Sequence, residues 1–244
     1  MIGRADRRRI RTRGSRRRGG RDRTTAPQRL RWPSRTSRPD LSVARAHVTV
    51  HPTRPALRAL EEFTNRSRGL DLSYEPVGLA QQSPAGWNVD SVSAVIGRGE
   101  EDFARAKRAL ASWQHFAIAW MEMYPRDAPQ IPGTIVTIAA RVCGIWWLNG
   151  CRVLYRLDAV DGRSAGFAYG TLTNHVEAGE EQFIVAIEPN GAVHYSIRAV
   201  SRPRSMVVRF GYPYTRLLQA RFRRASIAAM RHDHQHLHDR PARS

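Results

Sequence analysis

The chain has 244 residues, and 41% of them are hydrophobic, which is enough for the core of one domain and excludes a wholly disordered protein. It has only two cysteines, and its longest apolar stretch, residues 134–148, is too short for a membrane-spanning helix, so a disulfide-rich scaffold and a helical membrane protein are both excluded. The net charge of +19 is typical of proteins with anionic partners, but residues 1–40 alone carry fifteen Arg against three Asp.

Residues 1–51 form an N-terminal segment that is rich in Arg, Ser, Thr and Pro and poor in large apolar side chains. Such a composition cannot bury enough surface to offset the entropy of ordering, so the sequence predicts a disordered tail. The tail is either an arm that binds nucleic acid or an extension without a function. The second interpretation is preferred, because only Trp32 is available to stack on bases. No secretory signal is recognised, and a cytoplasmic location is expected.

A first helix is predicted directly after Pro55, where the folded part of the chain begins. Leu57, Leu60 and Phe63 recur at helical spacing on one face, and proline is favoured in the first turn of a helix. This pattern opens a single predicted domain that extends over residues 52–231.

Two strands and a second helix follow. Residues 72–80 and 89–96 have strand-like composition and are separated by a Pro-Ala-Gly turn. The glycine pair in Gly97–Arg98–Gly99 precedes a helix that is predicted to run to about residue 113. A glycine pair before a helix is able to cradle phosphate. Here three acidic residues occupy the first helical turn and would repel phosphate, so the pair is interpreted as a turn and cap.

Alternating apolar residues then predict an antiparallel sheet with one buried face. The alternating segments are residues 136–142, 153–157, 167–171, 183–187 and 193–197. In the second of these, simple alternation assigns Val153 and Tyr155 to the same face. An Asn190–Gly191 pair predicts a tight hairpin between the last two segments.

The last predicted element is a helix from about Pro213 to Met230 with an apolar stripe that includes Leu218 and Phe222. A basic amphipathic helix is able to lie on a membrane, but a terminal helix after a sheet usually covers the apolar face of that sheet. Arg223 is predicted to lie away from the stripe. The fold class is therefore α+β, a twisted antiparallel sheet packed against a long C-terminal helix. Residues 232–244 are predicted to be a disordered, His-rich tail.

The segment Gly166–Phe183, GFAYGTLTNHVEAGEEQF, concentrates the candidate site residues. Strand alternation directs Glu181 toward the buried face and Glu180 away from it. His175 and Glu177 share a face if the chain is extended there. Such groups could act as a general acid and base, or they could simply solvate a hairpin turn. One His is too few for a recognisable metal site, and no metal or cofactor is expected.

This segment resembles the signature of the bacterial and plant family known as domain of unknown function nineteen-ninety. The matching pieces, in chain order, are Tyr74 with Val77–Gly78, Pro84–Ala85–Gly86, Gly97–Arg98–Gly99, Val142–Cys143, Trp146–Trp147–Leu148–Asn149, GFAYGTL with the His and GEE, and Ser201–Arg202–Pro203. The resemblance covers about residues 56–230. Family members usually have Gly where this chain has Asn174, and Asn tolerates the left-handed backbone nearly as well.

The order of elements is also similar to the helix-grip fold of the START-like lipid-transfer superfamily. This resemblance implies a cavity between the sheet and the C-terminal helix, lined by aromatic residues including Phe183 and Phe222; alternatively, these residues simply fill a core. A mostly apolar cavity with a few polar groups is typical of small-molecule sites. The candidate ligand-binding residues are Trp120, Tyr155, Tyr169, His175, Glu177, Glu180, Glu181 and Tyr195.

Three functional hypotheses follow. The first is a binding protein for a small apolar or amphipathic ligand. The second is an enzyme of hydrolase or isomerase type that uses Glu181 with His175 or Tyr169. The third is association with nucleic acid through the Arg-rich tail. The first is preferred, and catalytic residues are not assigned.

Overall fold

The computed structural model describes residues 48–204 and 212–235. Its strands are β1 (Thr49–His51), β2 (Asn88–Arg98), β3 (Met121–Tyr124), β4 (Ile135–Val142), β5 (Ile145–Arg156), β6 (Ser164–Thr171), β7 (Glu177–Ile187) and β8 (Ala192–Pro203). Its helices are α1 (Leu57–Ser67), α2 (Gly99–Ala111) and α3 (Tyr212–Gln235), with short 3-10 turns at Leu79–Gln81 and Gln114–Phe116.

The strands form one antiparallel sheet in the order β2-β8-β7-β6-β5-β4-β3, and β1 pairs with β5. Consecutive strands from β3 to β8 are neighbours, as short hairpin turns require. Helices α2 and α3 cover one face, here called the inner face, where Phe167, Phe183 and Tyr195 form the main core. Helix α1 and residues 72–82 cover parts of the opposite, outer face. The predicted α+β class, with a sheet packed against a long C-terminal helix, is confirmed.

The segment predicted to be a strand over residues 72–80 is irregular, and that prediction was wrong. Leu72 makes a single bridge to Leu172, and the chain then turns into the 3-10 turn at Leu79–Gln81. The physical reason is that backbone N–H groups of Gly78, Leu79 and Ala80 donate to a side-chain carboxylate instead of a neighbouring strand.

A register shift in β5 separates two residues that simple alternation assigns to one face. Val153 pairs with Tyr169 on the inner face, whereas Tyr155 pairs with Ala168 on the outer face. A bulge adds one residue to its strand, which reverses the facing of every residue that follows it. The prediction that Val153 and Tyr155 share a face was therefore wrong.

An acidic side chain in the first turn of α2 caps the N-terminus of this helix. The Asp102 carboxylate accepts the Arg98 backbone N–H at 2.6 Å, and Gly99 has a φ of +83° that favours glycine. A Cβ at Gly97 would lie 2.6 Å from Asp102 Oδ2, so only glycine leaves room for this contact. The glycine pair thus serves as a turn and cap.

The described chain extends slightly beyond both predicted ends of the domain. Thr49–His51 belong to the sheet, and α3 continues to Gln235. The rest of the two predicted tails, residues 1–47 and 236–244, lies outside the described residues. Helix α1 buries Leu60 and Phe63 as predicted, but Leu57 is 66% exposed. No helix in the described ranges is long and apolar enough to cross a bilayer.

Candidate functional site

A cavity of about 400 Å³ lies between the inner face of the sheet and α3. Strands β3 to β8 form its floor, and α3 forms its roof. Most of its wall is apolar, and the larger side chains in that wall are Phe116, Trp120, Ile138, Trp147, Leu218 and Phe222. Because the central strands alternate, the same inner face that builds the core also supplies this wall.

Glu181 and Tyr169 form the central polar pair of the cavity. They are direct cross-strand partners on β7 and β6, and the Tyr169 hydroxyl donates to Glu181 Oε2 at 2.6 Å. Burial among apolar side chains raises the pKa of Glu181 to about 7, although the Tyr169 hydrogen bond opposes this shift. Burial also raises the pKa of Tyr169 well above its usual value. Near neutral pH, Glu181 is therefore able to hold or release a proton.

Glu177 supplies a second carboxylate to the same cavity. The side-chain amide of Gln219 on α3 donates to both carboxylate oxygens of Glu177, at 2.9 and 3.2 Å. Burial is the main cause that raises the pKa of Glu177, and nearby Arg216 opposes the shift. This contact connects the beginning of β7 to the roof helix.

The two arginines of α3 near this end of the cavity bind a different acid. Arg216 makes a two-pronged contact with Asp90 on β2, and Arg223 Nη2 lies 3.3 Å from Asp90 Oδ1. Arg223 also lines the cavity, so the prediction that it lies away from the apolar stripe was wrong. Residues 215, 218, 219, 222 and 223 share one face of α3, and the stripe therefore contains polar members.

His175 lines the cavity in the turn between β6 and β7. Its Nδ1 accepts the Glu177 backbone N–H at 2.9 Å, so the neutral ring carries its proton on Nε2. Burial lowers the pKa of His175 to about 4, and the ring is neutral at physiological pH. His175 and Glu181 line the same cavity, but no hydrogen bond joins the two side chains in the described structure.

Asn174, where the resemblance led us to expect a left-handed turn residue, has a structural role. Its backbone is not left-handed, in contrast to the expectation from glycine replacement. Its side chain is buried, donates to Ser67 Oγ at 2.8 Å and lies directly over Gly150, where a Cβ would come within 2.4 Å of Asn174 Oδ1. Asn174 therefore connects the turn to α1 on the outer side of the sheet.

Glu180 lies on the outer face, as alternation predicts, and is only 2% exposed. It accepts the Tyr74 hydroxyl at 2.8 Å, the Gly78, Leu79 and Ala80 backbone N–H groups at 2.9, 3.2 and 3.3 Å, and the Tyr155 hydroxyl. Burial, together with the Glu180 charge, raises the pKa of both tyrosines. The Glu180 carboxylate therefore holds residues 74–80 against the sheet, and it does not face the cavity.

The predicted site residues thus separate into two groups. Trp120, Tyr169, His175, Glu177 and Glu181 come together at the cavity. Tyr155 and the Glu180 carboxylate lie on the outer face, and Tyr195 and Phe183 are fully buried in the core, where the Tyr195 hydroxyl is 2.9 Å from Ser226 Oγ. Glu180 lies where alternation predicts, whereas a bulge decides the placement of Tyr155 and depth in the core decides that of Tyr195 and Phe183.

Several cavity residues carried no signal in the strand pattern. Gln219 and Arg223 belong to a helix that touches the sheet only through tertiary packing, and Trp147 and Asn149 lie in a strand that lacks clear alternation. Helical spacing was the one feature that could have indicated these two residues, because Gln219 lies three positions before Phe222 and Arg223 lies four positions after Gln219. Within residues 48–204 and 212–235, no group of His, Cys, Asp and Glu has an arrangement that could hold a metal ion.

Comparisons with known proteins identify the family of this chain. The family model described as Domain of unknown function (DUF1990) matches residues 73–229. A UPF0548 protein of Dictyostelium discoideum is 36% identical over 146 residues, covering 56% of this chain and 68% of that protein. A UPF0548 protein of Arabidopsis thaliana is 31% identical over 195 residues, covering 73% of this chain and 95% of that protein.

Among solved structures, truncated norcoclaurine synthase from Thalictrum flavum is similar at 12% identity, with a TM-score of 0.39 and coverage of 62% of this chain and 94% of that one. The family match spans strands β3 to β8, which form the cavity floor, and most of the helix that forms its roof. The chain belongs to the Domain of unknown function (DUF1990) family, whose curated relatives are named UPF0548 proteins.

Proposed function

We propose that this protein binds a small amphipathic ligand in the cavity between the sheet and α3. The observation that supports this most directly is a cavity of about 400 Å³ with a mainly apolar wall and a few polar groups, which include two carboxylates, an imidazole, a phenol, the Gln219 amide and the Arg223 guanidinium. Ligand sites in proteins have this construction, because apolar area supplies affinity and a few polar groups supply orientation. A fully packed interior would have opposed the proposal.

The contacts of α3 support a ligand that is enclosed rather than lying on a surface. The roof helix is fixed at its cavity end by the Arg216–Asp90 and Gln219–Glu177 contacts, and Phe222 packs 5.4 Å from the Phe116 ring. The apolar part of a ligand between this roof and floor would be removed from water, which favours binding by about 25 cal/mol per Å² of buried apolar surface.

Binding of the neutral fluorescent probe N-phenylnaphthylamine tests the proposal. Ala199 lines the cavity opposite Glu181, so Ala199→Phe should fill part of it and weaken probe binding at least tenfold. Ala186, on the outer face of β7, supplies the matched control, and Ala186→Phe should bind the probe like the wild type. Equal binding by both folded variants would show that the probe is not in the cavity.

A second candidate function is acid–base catalysis at the same place. The Tyr169–Glu181 pair favours it, because a carboxyl with a pKa of about 7 in an apolar cavity suits proton transfer at neutral pH. Mass spectrometry of ligands that co-purify with wild type and with Glu181→Gln separates the two functions. A catalyst accumulates unconverted substrate in the variant, so the recovered masses differ, whereas a binding protein retains the same compound.

Association with nucleic acid through the Arg-rich tail concerns residues outside the described ranges. It stays a prediction with a direct test, which is salt-dependent binding to DNA or RNA before and after removal of residues 1–47. Unchanged binding after removal would reject this hypothesis.

A further inference from the structure

The polar end of the cavity is rich in acceptors and poor in free positive charge. Of the three acidic residues there, Asp90 takes the salt bridges of both Arg216 and Arg223. Glu177 and Glu181 receive hydrogen bonds from neutral groups, the Gln219 amide and the Tyr169 hydroxyl, and make no salt bridge within the described residues. Two carboxylates thus border an apolar space without a direct salt bridge in the described residues, although Arg223 and Arg216, which both contact Asp90, favour their charged forms from a greater distance.

From these features we infer that the cavity selects amphipathic amines, with the protonated amine between Glu177 and Glu181 and the apolar body along Trp120, Ile138 and Phe222. An ammonium group donates three hydrogen bonds and would be the direct ion-pair partner that the two carboxylates lack within the described residues. An anionic head group would meet two like charges and would be rejected. This inference rests on the proposed ligand-binding function and specifies its ligand class.

The surrounding charges determine how such binding depends on pH. Tyr169 and Arg223 favour the charged form of Glu181, whereas Glu177, Asp90 and burial oppose it; Cys151 and Tyr195 are neutral, and so is His175 in the turn. Because a cation binds the ionised carboxylate, its affinity should rise as Glu181 loses its proton. Between pH 6 and pH 8, the ionised fraction of a group with a pKa of about 7 increases by about tenfold.

The test compares three ligands with the same chain, decylamine, decanol and decanoate, as competitors of N-phenylnaphthylamine on the full-length protein. Decylamine should bind at least tenfold more tightly than decanol at pH 8, and decanoate should bind most weakly. The affinity of decylamine should rise by about tenfold from pH 6 to pH 8, while that of decanol stays constant.

Variants assign the preference to the two carboxylates. Glu181→Gln and Glu177→Gln should each reduce the ratio of amine affinity to alcohol affinity at least threefold. Glu61→Gln, an exposed position on α1, should retain the wild-type preference. An equal or tighter affinity for decanol or decanoate would overturn the amine inference while leaving a ligand-binding cavity in place. Failure of the probe and all three ligands to bind would overturn the proposed function itself.

Discussion

Glu180 and Glu181 are adjacent in β7, yet their carboxylates lie on opposite faces of the sheet and have different partners. Glu180 receives donors from the irregular segment before β2, and Glu181 receives the Tyr169 hydroxyl at the cavity. The strand therefore places an anchor and a candidate functional group at consecutive positions. Substitutions at the two positions should affect different properties, stability for Glu180 and ligand affinity for Glu181.

Replacement of Glu180 should strongly destabilise the fold. Glu180→Ala leaves the Tyr74 and Tyr155 hydroxyls and three backbone N–H groups without their acceptor, and we expect a loss of about 3 kcal/mol in the free energy of unfolding. Urea unfolding monitored by circular dichroism measures this quantity. Glu61→Ala on the exposed side of α1 serves as the control and should change stability by less than about 0.5 kcal/mol. Similar values for both variants would refute the anchoring role.

Removal of the Tyr169 hydroxyl should raise the pKa of Glu181 further. The hydrogen bond from Tyr169 favours the ionised carboxylate, so Tyr169→Phe removes an interaction that holds this pKa down near 7. Carbon NMR of side-chain carboxyl-labelled Glu reports the titration directly. Tyr124→Phe, at a tyrosine outside the cavity, is the control. A lower or unchanged pKa in Tyr169→Phe would contradict the assignment.

Buried His115 should make the protein less stable in acid. Its ring is fully buried among Trp113, Phe116 and Phe183, and burial lowers its pKa to about 3. The unfolded chain, with a His pKa near 6.5, then binds the proton more tightly. The stabilisation is therefore complete above pH 6.5 and is lost as the pH falls from 6.5 toward 3.

For His115→Leu, the loss of unfolding free energy between pH 7 and pH 5 should be smaller than in wild type by about 2 kcal/mol. Chemical unfolding at both pH values measures the difference. His194→Gln, at a partly exposed His on β8, is the matched control, and it should retain nearly the wild-type pH dependence. Parallel pH profiles for wild type and His115→Leu would show that His115 is not the acid-sensitive group.

Removal of the Asp90 carboxylate should loosen the cavity roof. Asp90→Asn weakens contacts with Arg216 and Arg223, which hold α3 against β2. We expect faster amide hydrogen exchange in residues 215–223 and faster dissociation of bound probe. Glu62→Gln, which removes an exposed ion pair with Arg58 on α1, should leave both rates unchanged. Unaltered exchange in Asp90→Asn would show that other contacts fix the roof.

Much of the architecture was predictable because period-two alternation is a direct consequence of burying one face of a strand. That logic placed Glu181 and Glu180 on the correct faces. It failed for Tyr155, because a bulge is set by tertiary fit, and it failed for residues 72–80, whose backbone donors bind a distant carboxylate. Local sequence does not encode that partner. The cavity residues of α3 could not be predicted for the same reason, because their contacts with the sheet depend on long-range packing.

The extra residue in β5 has a use in comparing relatives. Because of the register shift after Val153, β5 directs Val153 to the inner face and Tyr155 to the Glu180 carboxylate on the outer face, although the two residues pair with adjacent positions of β6. A relative that keeps the two-residue spacing of these positions but lacks the bulge would turn its equivalent tyrosine inward, toward the helix side, and leave the outer carboxylate with one donor less. The pairing register of β5 against β6 is thus a marker by which family members can be sorted, before any ligand is known, into those that keep the tyrosine contact on the outer face and those that direct this tyrosine to the interior.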